Sequence, residues 1–161
     1  MGFVIALVQR FPIVALILVV GAVGFVFRDH LTGAVDDLRV GDCFDRPANL
    51  AAGGELSEVQ HRPCADPHDG EVIAIVQHPA ARLAVYPSDA AVTRFVSEQC
   101  VPEFEAYTGH SYESALQWEL GLFLPTDAGW VDGDREFTCY VHSADSTKLV
   151  RSVRVAPAAA P

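Results

Sequence analysis

The sequence predicts an α+β fold: an antiparallel sheet with one packed helix and two disulfides, preceded by an N-terminal transmembrane helix. Three observations carry this. An uncharged run of 17 residues, Phe11–Phe27, lies between Arg10 and Arg28. Short apolar segments flank a single stretch of helical periodicity, which is the pattern of an α+β chain rather than of repeated βαβ units. Four cysteines, Cys43, Cys64, Cys100 and Cys139, all follow the apolar run. An even count with no Cys-x-x-Cys pair reads as a disulfide framework in an oxidising compartment.

At about 1.5 Å per residue the apolar run spans roughly 26 Å, slightly less than a ~30 Å hydrocarbon core, and the flanking Arg side chains can snorkel to cover the difference. Residues 1–10 read as a short cytoplasmic end, 11–28 as an uncleaved signal-anchor and 29–37 as a juxtamembrane linker. A cleaved signal peptide competes, with Ala22-Val23-Gly24 and Thr32-Gly33-Ala34 as small-x-small sites. Arg10 on one side and Arg28 and Arg39 on the other leave the positive-inside balance undecided. The cysteines decide instead: the N-terminus is expected in the cytoplasm and everything after Arg28 outside the cell membrane. The whole chain is 50% hydrophobic yet carries −10; after Arg28 it has 9 basic and 21 acidic residues, a net −12. With no Lys/Arg run, a phosphate-tracking nucleic-acid binder is excluded.

Within the exported domain, 38–155, Leu38–Phe44 reads as a first strand and Pro47–Gly54 as a loop. Leu56–Arg62 is a second strand, and Ala65–Gly70 a turn. Glu71–Gln77, with Val72, Ile73, Ile75 and Val76, is a central strand apolar on both faces. Ser88 is placed to cap a helix in which Val92, Phe95/Val96, Cys100, Phe104 and Tyr107 recur at helical spacing; Pro102 should kink or split it, and Gly109 end it. Leu116, Trp118, Leu120, Leu122 and Leu124 alternate as a core-facing strand. Asp132-Gly133 turns the chain into a strand with Phe137, Cys139 and Val141 inward. Leu149–Val155 reads as a last strand, and 156–161 as a disordered Ala/Pro tail. Four cysteines allow three connectivities. Inward-facing Cys100 and Cys139 make a natural clamp of helix on sheet, leaving Cys43–Cys64 to close a hairpin-like loop.

Chemistry is sparse. His61-x2-Cys64-x3-His68 has spacing that could hold zinc, but a disulfide at Cys64 removes the thiolate. His68, Asp69 and Glu71 could be read as an acid–base set, yet no nucleophile sits in an elbow motif and no Gly-rich phosphate loop opens a helix. Gly133-Asp134-Arg135 reads as a turn whose Arg pairs with a carboxylate. Trp118 and Trp130 read as core or interface anchors. No metal, cofactor or catalytic set is expected.

Val40-Gly41-Asp42-Cys43-Phe44, Val59 through Cys64, Pro67-His68-Asp69-Gly70-Glu71-Val72, Cys100 with Phe104 and Tyr107, and Trp130 followed by Gly133-Asp134-Arg135 and Cys139 resemble, in order, the septum formation domain of high-GC Gram-positive bacteria. The resemblance implies an extracytoplasmic four-cysteine domain on a single-pass or secreted chain, which supports two disulfides. It implies no reaction. The function expected is a non-enzymatic, membrane-anchored envelope protein making protein–protein contacts with division or wall-synthesis machinery. An accessory subunit of a respiratory or transport complex and a small-ligand or metal-binding module are the alternatives. His68, Asp69, Glu71, Trp130, Asp134 and Arg135 are the candidate interaction positions.

Overall fold

The computed structural model describes residues 32–47 and 58–155. The signal-anchor, part of the Pro47–Gly54 loop and the Ala/Pro tail lie outside the described residues. Among the described residues no helix is long and apolar enough to cross a membrane.

Six strands, β1 (Thr32–Ala34), β2 (Cys43–Asp45), β3 (Glu58–Arg62), β4 (Gly70–Gln77), β5 (Trp118–Phe123) and β6 (Glu136–Ser143), form one sheet in the order β1-β3-β2-β4-β6-β5. Every neighbouring pair is antiparallel. Helix α1 (Asp89–Thr108) covers one face, and a short helix α2 (Asp127–Asp132) precedes β6. The expected α+β sheet with one main helix is therefore present.

β4 is central and buried on both sides, as its unbroken apolar run requires. Ile73 and Ala74 pack under α1 with Cys100, Phe104, Cys139 and Val141. Val72 packs on the opposite face with Phe44, Val59, Phe123 and Tyr140. Consecutive Ile73 and Ala74 share a face because the register with β6 shifts between Val72 and Ala74, where a bulge adds a residue. Phe44 on β2 and Phe123 on β5 meet at 5.3 Å between ring centroids, although β4 and β6 lie between their strands. The sheet is thus curled into a half-barrel around these rings. Two glycines make the curl possible. A Cβ on Gly70 would stand 2.7 Å from Phe44 Cζ, and one on Gly121 only 2.1 Å from Tyr140 Cζ.

α1 begins at Ser88, which has the extended backbone of a cap. Its carbonyl accepts from Ala91 N and Val92 N, and the side chain makes no capping bond. The helix runs through Pro102 without being split in two. Pro102 lies on the exposed face, where water can serve the carbonyl that it leaves unbonded. Gly109, with φ +72°, ends the helix.

Four other expectations change. Part of the 29–37 segment read as a linker is structured: Thr32–Ala34 pairs with β3, and Val35 is buried. The first strand shrinks from Leu38–Phe44 to Cys43–Asp45, because Gly41 turns the chain with φ +94°. Leu116 is 83% exposed and Leu124 41%, so the alternating run is core only over Trp118–Phe123. Leu149–Val155 forms no strand; a single bridge joins Leu149 to His68. Helix α2 was unexpected. Its six residues are too few to show a period, and Thr126 Oγ1 accepting from Gly129 N at 2.9 Å starts it.

The two disulfides are Cys43–Cys64 and Cys100–Cys139, with Cα atoms 5.3 and 6.1 Å apart. The chain-entropy relation gives about 3 and about 4 kcal/mol for loops of this size.

Candidate functional site

The candidate positions fall into two groups at opposite ends of β4. At its start, the Pro67–Val72 motif clasps the C-terminal segment. His68 pairs with Leu149 through both backbone bonds, His68 N to Leu149 O at 3.0 Å and the reverse at 2.9 Å. Glu71, 1% exposed, accepts from Tyr107 Oη at 2.6 Å, Ser152 Oγ at 2.7 Å and Val153 N at 2.7 Å. Burial, and then the hydrogen bond to Glu71, holds the Tyr107 phenol well above the usual range. Asp69 accepts from Arg46 N at 2.8 Å, and its carboxylate pairs with Lys148 at 3.1 Å. Lys148 also bridges to Asp45, which accepts from Arg62 Nε at 2.7 Å. Burial raises the Asp45 carboxyl, but the bonds and charges of Lys148 and Arg62 outweigh it and leave the net shift downward. Each polar residue of this motif therefore binds the chain's own backbone or side chains.

His68 is fully buried. Its Nδ1 lies 2.7 Å from Asp66 O. A carbonyl only accepts, so Nδ1 carries the hydrogen, and in that tautomer Nε2 is the acceptor. Nε2 has no partner among the described residues. Leaving such a group buried costs about 1–3 kcal/mol. A ring nitrogen of His68, Cys43 Sγ and a Glu71 carboxylate oxygen lie within 4.8 Å of one another. With Cys43 in a disulfide its sulfur is no thiolate, so this trio lacks the ligand that a metal centre would need. The same holds for His61-x2-Cys64-x3-His68, where Cys64 is the bonded partner.

At the far end of β4, Arg135 forms a buckle. It is 8% exposed, and its guanidinium lies 3.7 Å over the Trp130 ring. Nε donates to Ala80 O at 3.3 Å, and the terminal nitrogens donate to Ala81 O at 3.0 Å, Arg82 O at 2.8 Å, Trp130 O at 2.7 Å and Asp134 O. All five N–H groups of the fork are thus used. The expected carboxylate partner is replaced by backbone carbonyls, because α2 and the strap 78–88 bring five of them to one point. Trp130 Nε1 donates to Ala84 O at 2.8 Å, and Tyr86 Oη to Pro125 O at 2.9 Å. His78 rests between Phe95 and Phe137 at 4.7 and 5.5 Å. Burial and then the charge of Arg135 lower its imidazole. Asp134 caps the next strand, accepting from Glu136 N at 2.9 Å.

The buckle pins the strap while its apolar side chains face out. Leu83 is 96% exposed and Val85 91%, and Val131 beside Trp130 is 74% exposed. Burial and the charges of Asp127 and Asp134 raise the Tyr86 phenol, so both carboxylates stand close to this patch. Sequence reading passed over 78–86, which has no periodicity. The only signal there was the stretch Ala80–Val85, apolar except for Arg82, between Pro79 and Pro87.

Fold and sites together define a small, disulfide-stapled α+β half-barrel with a clasp at one end and a rigid apolar strap at the other. The chain belongs to the Septum formation family, whose model matches residues 40–160. No curated protein and no solved structure matches it.

Proposed function

We propose that this is a non-enzymatic, membrane-anchored envelope protein whose outward domain docks onto cell-division or wall-synthesis machinery. Membership of the Septum formation family supports the division-related role. The observation carrying the contact role is the strap: Leu83 and Val85 are exposed at 96% and 91% on backbone fixed by Arg135, Trp130 and Tyr86. Aliphatic side chains on a backbone already fixed leave little chain entropy to lose when a partner covers them, which suits an anchoring surface. The uncharged run 11–27 and the paired cysteines support an anchored, extracytoplasmic setting.

The test is a photo-crosslinker placed at Leu83 in growing cells, with the adduct identified by mass spectrometry. A division or wall-synthesis protein should be captured, and the same capture should be lost when Val85→Asp is added. An adduct pattern unchanged by Val85→Asp, or no adduct with a folded domain, would refute the reading.

A further inference from the structure

We infer that Cys43–Cys64 is a thiol–disulfide exchange site at which a dithiol oxidoreductase attacks Cys64. The two disulfides differ in their surroundings. Cys100 and Cys139 are both fully buried under α1. Cys43 is 2% exposed, whereas Cys64 is half-buried. Cys64 and Cys43 both line a cleft of about 130 Å³, with Asp42, His61 and Arg62 around them. An incoming thiolate thus has a route to this disulfide, and within it Cys64 is the more exposed residue.

The leaving side is equally specific. Attack on Cys64 Sγ forms a bond from the partner's sulfur to Cys64 and breaks the bond to Cys43. Cys43 departs as a thiolate and takes a proton from water to become a thiol. The His68 ring lies beside it, and Nε2 is the ring nitrogen with no partner among the described residues. The S–H of Cys43 supplies the donor that this acceptor lacks in the oxidised protein. The Glu71 carboxylate is largely occupied, accepting from Tyr107, Ser152 and Val153. The second thiol of the partner then attacks its own bonded sulfur and releases Cys64 as a thiol. Two electrons pass from the dithiol, and the partner leaves as a disulfide.

The full-length protein is exposed to reduced glutathione, quenched with an alkylating agent and mapped by peptide mass spectrometry. Glutathione should be found on Cys64 and the alkyl group on Cys43, at least tenfold faster than any opening of Cys100–Cys139. His68→Leu should slow this opening at least fivefold. His68→Gln, whose amide oxygen can accept in place of Nε2, should recover it. Glutathione on Cys43, equal opening of both disulfides, or a folded His68→Leu protein that reacts at the original rate would overturn the assignment. If the His68 variants do not fold, the attachment site in the unsubstituted protein decides it.

Discussion

Replacing Arg135 by alanine should release the 78–88 strap while the half-barrel stays folded, and trypsin can read the release. The Arg82–Leu83 bond lies within the strap, and its carbonyl is the one that Arg135 holds at 2.8 Å. Cleavage requires that carbonyl to enter the protease, so the strap must first open. Opening breaks the Arg135 bonds to Ala80, Ala81 and Arg82. Bonds to a charged donor contribute about 1.5–3 kcal/mol each, but these carbonyls regain water near the surface, leaving roughly 3 kcal/mol for the set. Without Arg135 the open population should rise about a hundredfold. Where opening is faster than cleavage, the nicking rate follows that population. The assay is limited trypsin digestion with mass spectrometry of the fragment ending at Arg82. Arg94, exposed on α1, reports global unfolding. Faster cleavage confined to Arg82 supports the buckle. A folded Arg135→Ala protein nicked at Arg82 no faster than the original would refute it, and equal acceleration at Arg94 would show that Arg135 supports the whole fold instead.

Gly121→Ala should cost about 2–3 kcal/mol in denaturant unfolding, since its Cβ would meet Tyr140 at 2.1 Å and that ring is held between Phe44 and Phe123; Tyr140→Leu in the same chain should recover part of the loss, and an undiminished midpoint for Gly121→Ala alone would contradict the curled sheet. Tyr107 keeps its proton in the folded state above the pH at which an unfolded tyrosine loses it. Its contribution is therefore complete below about pH 10 and falls as the pH rises further. Stability measured between pH 9 and 11 should decline more steeply for the original protein than for Tyr107→Phe, and parallel curves would show that the buried phenol is not the cause.

The sequence was legible where one residue type has one physical use. Of the three connectivities open to four cysteines, Cys100 on an apolar helical stripe and Cys139 on an inward strand position favoured the clamp that forms. The doubly apolar run in β4 could only be central. Gly109 ended its helix, and Gly133 made the expected turn, because their positive φ suits glycine. What stayed hidden depended on tertiary partners. Thr32–Ala34 has no strand signal of its own and pairs because β3 offers an edge. Leu149–Val155 has a strand's composition, but Glu71 takes the Val153 amide that a neighbouring strand would have needed. Arg135 was singled out by its turn motif. Its five carbonyl partners could not be read, because three of them lie more than 50 residues away. The exposed Leu83 and Val85 were missed for the same reason: only the buckle fixes which side of the strap faces water.

The strand register sets a distance. Thr32 stands level with Gln60 and so with Asp45, one step beyond the Phe44–Gly70 pair. The strap leaves the sheet after Gln77, at the other end of β4. Eight residues of strand separate the two levels, roughly 26 Å at about 3.3 Å per residue. The half-barrel is therefore a spacer of fixed length. Whatever grips the chain ahead of Thr32 and whatever covers Leu83 are held that far apart, and tension between them passes from β1 through β3 and β2 to β4, loading the hydrogen bonds of those ladders together in shear rather than one at a time.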